Sequence, residues 1–273
     1  MAATYAVERA TPAARVTLII SAVVLVLLIA APWWAGRADL RLLIEIFYYL
    51  ALAQMWNLLA GYAGLVSVGQ QAYVGLGGYM LFALAALGGV PPLLALPLAG
   101  VIAAIVAIPT AFVAFRLRGA YFAIGTWVIA EVFRLVFAQM TVLGGGSGMS
   151  LPATIVRSIS ADRAMRESLV YWIALVIGVT SIVLVYFLLR SRWGLALTAI
   201  RDSEPASESL GVETYRTKFL VYVVVAGMTG LIGALIFLQK LRISPEAAFN
   251  VNDWTAFVIF IVVIGGIGTI EGP

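Results

Sequence analysis

Residues 46–115 read IFYYLALAQMWNLLAGYAGLVSVGQQAYVGLGGYMLFALAALGGVPPLLALPLAGVIAAIVAIPTAFVAF, 70 positions without one Asp, Glu, Lys or Arg. As one straight helix this run would measure about 105 Å, over three times the ~30 Å hydrocarbon core of a bilayer. It must therefore fold back. Glycine freedom and proline sterics offer two breaks, Gly61 to Gly64 and Gly88-Gly89-Val90-Pro91-Pro92. The breaks divide the run into spans near residues 40–60, 64–87 and 93–115.

Working outward, residues 16–36 carry no charge and follow Arg9 and Arg15. They read as an uncleaved first helix rather than a signal peptide, because the apolar stretch is long for a signal and further spans follow. Pro32, Trp33 and Trp34 close it with interface-seeking aromatics. Beyond the central run come a basic turn at Arg116 and Arg118, a fifth span at 119–140, a polar stretch at 143–167 and a sixth span at 168–189. Residues 190–218 form the one sizeable polar segment, with nine of the 30 charged residues. A seventh span at 219–238 and an eighth from Trp254 complete the chain. The expected fold is an all-α polytopic integral membrane protein, a single domain over 1–273 with about eight transmembrane helices and a broken or re-entrant helix near residues 61–79.

Composition agrees, with 63% hydrophobic and 11% charged residues, where a soluble domain carries about a quarter charged. The absence of Cys and His removes thiolate and Ser-His catalysis and the usual zinc and haem ligand sets, so no metal and no catalytic residue is expected. Neither Lys218 nor Lys240 follows a glycine, which excludes a Walker nucleotide loop. The net charge of +4 is scattered between apolar runs, unlike the basic face of a nucleic-acid binder. Placing the N-terminus in the cytoplasm puts nine basic residues inside and seven outside. Arg190, Arg192, Arg216 and Lys218, crowded at the borders of the 190–218 loop, support that orientation.

Three intramembrane features invite a functional reading. Asn57, Gln70, Gln71 and Tyr73 bring polar side chains into a glycine-rich apolar stretch, and Ser67, Gln71 and Gly75 recur every four residues as one helix face would. They either line a translocation path or serve as hydrogen-bonding glue in small-residue packing. Glu131 and Arg134 sit near the middle of the fifth span, where an ionised side chain costs about 2.5–3.5 kcal/mol. Their i,i+3 spacing suits an ion pair, and a proton relay is the alternative, with Glu45 a further candidate. In the seventh span Ala226, Gly230 and Ala234 repeat at four and Gly227, Gly230 and Gly233 at three, a close-packing face.

In the 190–218 loop, Asp202 or Ser203 can cap a new short helix, Glu204 and Pro205 suit its first turn and Gly211 its stop. Two short helices joined by a charged turn would form either a docking surface or a plain solvated connection. At this loop the sequence resembles the LivM-type permease subunit of ATP-binding-cassette importers for branched-chain amino acids. The matching blocks are Arg190-Ser191-Arg192-Trp193-Gly194, Ala199-Ile200-Arg201-Asp202, Leu210-Gly211-Val212 and Lys218, then Ile243-Ser244-Pro245-Glu246 and Gly265-Gly266-Ile267-Gly268-Thr269. Upstream, Asn57-Leu58-Leu59, Gly61-Tyr62-Ala63-Gly64, Ser67-Val68-Gly69-Gln70 and Tyr121-Phe122-Ala123-Ile124 match as well, so the resemblance covers most of residues 40–273.

The resemblance implies a non-catalytic subunit of the bacterial cytoplasmic membrane that binds no cofactor itself, ATP being used by separate ATP-binding subunits. It implies that 190–218 is a cytoplasmic coupling loop, with Arg201, Asp202, Glu204 and Gly211 at the contact with those subunits. It also implies a second homologous permease subunit and an extracytoplasmic solute-binding protein, which would meet outer loops including Gly144 to Gly148. Relatives of this type handle branched-chain amino acids, urea and amides. Family members continue past the Gly265–Thr269 block with at least one more hydrophobic segment, so a chain ending at Pro273 reads as truncated, and Gln71 stands where a small residue is usual. An ion-coupled secondary transporter using intramembrane carboxylates and a structural anchor in a membrane enzyme complex are the competing readings.

Overall fold

The computed structural model describes residues 12–273; Arg9, part of the basic N-terminus, lies outside the described residues. The main helices are α1 (Pro12–Ile29), α2 (Arg37–Asn57), α3 (Gln70–Phe82), α4 (Pro92–Ala114), α5 (Ala120–Gln139), α6 (Arg163–Arg190), α7 (Arg192–Asp202), α8 (Glu204–Ser209), α9 (Thr214–Lys240) and α10 (Phe257–Gly265). Single π-turns extend α2 over Leu58–Tyr62 and α3 over Ala83–Leu87, and another, Asn252–Ala256, leads into α10. Six stretches among the described residues are long and apolar enough to cross a bilayer: Arg37–Tyr62, Pro92–Ala114, Ala120–Gln139, Arg163–Arg190, Thr214–Lys240 and Pro245–Gly265. The chain is an all-α polytopic membrane protein. The two other segments expected as spans also hold helices, α1 and α3.

The packing follows from which face of each helix carries small residues. Along α4, Ala95, Ala99, Ala103, Ala107 and Ala111 are fully buried, whereas Leu94, Leu98, Val101, Ile105 and Phe112 are exposed. Between helices in lipid, close backbone approach supplies the attraction, so alanine and glycine face inward and bulky side chains meet the acyl chains. The same rule joins α3, α4 and α9. A Cβ on Gly77 would strike the Gly230 carbonyl, one on Gly233 the Val74 carbonyl, and one on Gly230 the Ala103 side chain. The glycine repeat of α9 is a contact face for two neighbours, and α3 is buried at every position from Gln70 to Phe82 except Met80.

One expectation needs correction. The third helix starts at Gln70, not at residue 64, so Ser67 lies in irregular backbone and shares no helix face with Gln71 and Gly75. Gly64 turns the chain with a φ of 67°, and side chains satisfy the freed backbone groups. Trp56 Nε1 donates to the Ser67 carbonyl at 2.8 Å, the Val68 N–H donates to Thr126 Oγ1 at 3.1 Å, and the Gly69 N–H donates to Ser67 Oγ at 3.2 Å. Non-helical backbone among membrane helices survives only when protein replaces water in this way.

The helix termini gather into two ends. At one, residues 61–69, the turn before α5, the α7–α8 segment and Gly268 come together. At the other, the end of α1 meets α6, and Met149–Ser150 pairs antiparallel with Arg242–Ile243.

Candidate functional site

The amides predicted as path residues fall into two groups. Asn57 is fully buried at the last turn of α2, its Nδ2 donating to the Thr269 carbonyl at 2.7 Å and its Oδ1 accepting from the Gly268 N–H at 2.8 Å. One turn earlier, Gln54 Nε2 donates to the Ile270 carbonyl at 2.8 Å. These two side chains staple the glycine-rich segment after α10 to α2. Gln54 was missed in the sequence because nothing marked its partner, 216 positions away.

Gln70, Gln71 and Tyr73 open α3. Gln71 takes a hydrogen bond from the Thr255 hydroxyl, while its own N–H donates to Thr255 Oγ1 at 3.2 Å. Tyr73 donates to the Tyr222 hydroxyl at 2.9 Å and lies 2.6 Å from Thr110 Oγ1. Gln70 Nε2 donates to the Leu52 carbonyl at 3.0 Å, but its Oε1 is buried without a partner, as is Thr229 Oγ1. Both residues line an internal cavity of about 10 Å³ with Trp56, Ser67, Tyr73 and Tyr222, room for at most one water. Thr110, Tyr222, Thr229 and Thr255 join the cluster only through tertiary packing, since a lone Thr or Tyr in an apolar run carries no sequence signal.

The 190–218 segment folds into the two expected short helices. Ser191 caps α7, accepting from the Trp193 N–H at 3.2 Å, and Ser203 caps α8, accepting from the Ala206 N–H at 3.4 Å. Gly211 follows α8 with a φ of 83°. Of the two cap candidates the hydroxyl is used, and Asp202 instead pairs with its neighbour, 3.2 Å from the Arg201 guanidinium. Arg201 reaches further: its Nη1 donates to the Gly61 carbonyl at 3.1 Å and would lie 3.3 Å from a Cβ on Gly268. Glu204 pairs with Lys218 of α9 at 2.6 Å, and Glu208 accepts from Thr214 at 2.8 Å. The segment is thus tied to the π-turn of α2 and to the foot of α9. Beneath it, residues 64–66 and the turn before α5 border a cavity of about 630 Å³. Leu195 and Leu210 project outward, 73% and 83% exposed.

Glu131 and Arg134 of α5 are in contact, Nε to Oε1 at 2.9 Å, with Arg134 Nη1 3.5 Å from Glu246. Glu246 belongs to the short helix Pro245–Ala248, capped by Ser244, so the pair lies toward the end of the bundle opposite α7 and α8. Glu45 accepts from the Tyr48 hydroxyl at 2.7 Å. The Gly144–Gly148 loop lies at the same end, where a Cβ on Gly148 would strike the Ile243 carbonyl. No group of three or more acidic residues able to hold a metal occurs among the described residues.

A family described as "Branched-chain amino acid transport system / permease component" matches residues 40–273. The chain is 30% identical over 267 residues to the high-affinity branched-chain amino acid transport system permease protein LivM of Escherichia coli (strain K12), covering 90% of this chain and 62% of that protein. It is 29% identical to the protein of the same name from Salmonella typhimurium, with the same coverage. A probable branched-chain amino acid transport permease protein LivM from Methanocaldococcus jannaschii is 27% identical over 173 residues, 63% of this chain and 48% of that one. The chain therefore spans 62% of the length of the first two relatives. No solved structure matches it closely enough to count as a relative.

Proposed function

Since the chain belongs to the family of branched-chain amino acid transport permease components, we propose that it is the non-catalytic transmembrane subunit of an ATP-driven importer for branched-chain amino acids or related small polar solutes. In this reading it lies in the bacterial cytoplasmic membrane with about eight spans and its N-terminus inside. Separate ATP-binding subunits, a second permease subunit and an extracytoplasmic solute-binding protein complete the transporter. The α7–α8 segment faces the cytoplasm and receives the ATP-binding subunits, with exposed Leu195 and Leu210 beside Asp202 and Glu208 as an amphipathic contact surface.

The observation that carries the reading is the Arg201 to Gly61 hydrogen bond. It couples the docking segment to the one place where α2 leaves regular helix, next to the irregular 63–69 backbone. Closure of the ATP-binding subunits on nucleotide would tilt α7, pull on the π-turn and shift the start of α3, where Gln70, Gln71 and Tyr73 stand. In the described conformation the bundle is closed around those residues, and opening needs such a displacement, a two-state change driven by differential binding.

The test is uptake of labelled leucine into proteoliposomes containing the full transporter. Uptake is expected to require ATP and hydrolysis-competent partners, and the chain alone is expected to hydrolyse none. Leucine uptake that persists with inactivated ATP-binding subunits would sink the proposal.

A further inference from the structure

At the end of the bundle opposite α7 and α8, the N-terminal half of α2, the first turns of α6 and the last turn of α9 border an open cavity of about 540 Å³, within the roughly 300–1,000 Å³ of small-molecule sites. Its charges are unevenly engaged. Glu167 Oε1 accepts from Arg41 at 3.0 Å and Arg163 at 3.2 Å, while its Oε2 is buried without a hydrogen-bond partner, 3.8 Å from Arg37 Nε. Arg166 and Lys240 also line the cavity, and neither has an acidic partner within 4.0 Å among the described residues, although the Lys240 ammonium lies over the Trp254 ring, 4.7 Å from its centroid. Glu45, on the α2 wall, is held only by the Tyr48 hydroxyl. Ile44, Val170 and Leu238 give the wall an aliphatic part.

This leaves two cations and one carboxylate facing a common space over an apolar surface. We propose that the cavity is a vestibular binding site for a zwitterionic α-amino acid with an aliphatic side chain. Arg166 and Lys240 hold its carboxylate, Glu45 its ammonium, and Ile44, Val170 and Leu238 its side chain. A neutral amide such as urea would answer none of the three charges. A lone anion would answer the cations and repel Glu45.

Register places the site on the importer's route. Arg41, Glu45 and Tyr48 lie on the same face of α2 as Leu52, Trp56 and Leu59, at successive steps of three or four residues. Trp56 and Leu59 line the small cavity beside Gln70, and on α9 Tyr222, Thr229, Ile236 and Lys240 likewise follow one face, at successive steps of seven, seven and four residues. The two cavities are the ends of one seam between α2 and α9, closed between them by fully buried residues such as Leu52 and Ile236. The inference rests on the importer reading for its direction, from outside inward.

The natural chain has no cysteine, so Gln239→Cys or Ile159→Cys, both half-buried on the cavity wall, creates a single thiol whose maleimide labelling reports occupancy. In phosphatidylcholine vesicles, leucine is expected to slow labelling at both positions. 4-Methylpentanoate, which lacks the ammonium, and isopentylamine, which lacks the carboxylate, are expected to protect at least about tenfold less effectively. Lys240→Gln should raise the protecting leucine concentration about tenfold and Lys240→Arg should restore it, while Val142→Cys, exposed in a loop outside the cavity, labels at an unchanged rate. Labelling indifferent to millimolar leucine at both positions overturns the site. Protection by added phosphatidylglycerol in place of leucine also overturns it, in favour of a lipid headgroup. A transporter that takes up leucine normally while labelling ignores it loses this site but keeps the importer reading; one that takes up no branched-chain amino acid loses the reading itself.

Discussion

Asn57 meets two backbone groups of one turn at once, and the consequences of removing it can be reckoned residue by residue. Asn57→Ala leaves the Gly268 N–H and the Thr269 carbonyl without their partner in a setting where an unmade hydrogen bond costs about 1–3 kcal/mol. The variant should melt measurably lower in detergent, and an unchanged melting temperature would show that the staple contributes nothing. Arg201 predicts a different phenotype. Its side chain is 40% exposed, so Arg201→Gln should disturb folding little while removing the link to Gly61. In the reconstituted transporter it is expected to leave ATP hydrolysis running and to cut uptake by an order of magnitude or more, as is the charge reversal Asp202→Lys. Uptake equal to wild type in both would deny the segment a coupling role. The sequence made Asn57 visible as an amide among apolar residues, but not what it holds. A polar side chain at membrane depth announces only that a partner exists.

At the scale of elements, short helices were the most legible. The α7–α8 turn carries its own instructions in Ser203, Glu204, Pro205 and Gly211, and cap chemistry needs no tertiary knowledge. Ser203→Ala should therefore cost about 1 kcal/mol, read as faster amide exchange confined to residues 204–209. The start of α3 was less legible. Apolar composition continues through residues 63–69, and the decisive groups there are Trp56 and Thr126, remote in sequence and supplying the bonds that let the backbone stay irregular. The α9 glycines were legible as a packing face, though not as one shared by α3 and α4. Gly77→Val would drive a side chain into the Gly230 carbonyl, and since both groups are helical backbone neither can give way. That variant should fail to accumulate as folded protein in the membrane. Gly146→Val, whose Cβ meets nothing within 4 Å, should accumulate normally.

At the scale of the whole molecule, orientation rests on a narrow margin. From residue 37 onward, and with Arg134 set apart, Arg116, Arg118, Arg190, Arg192, Arg201, Arg216 and Lys218 belong to the α7–α8 end, and Arg37, Arg41, Arg157, Arg163, Arg166, Lys240 and Arg242 to the other, an even division. The excess that favours a cytoplasmic N-terminus comes from Arg9 and Arg15, and the first helix often dominates insertion. The even division also has a structural reason. At the end opposite α7 and α8 Glu167 engages Arg41 and Arg163, so those cations are held in pairs by the fold. In whole cells, a membrane-impermeant thiol reagent should label Val142→Cys directly and Ser209→Cys only after permeabilisation. The reverse pattern would invert the topology, placing the α7–α8 segment outside, beyond the reach of any ATP-binding subunit, and with it the coupling role of Arg201.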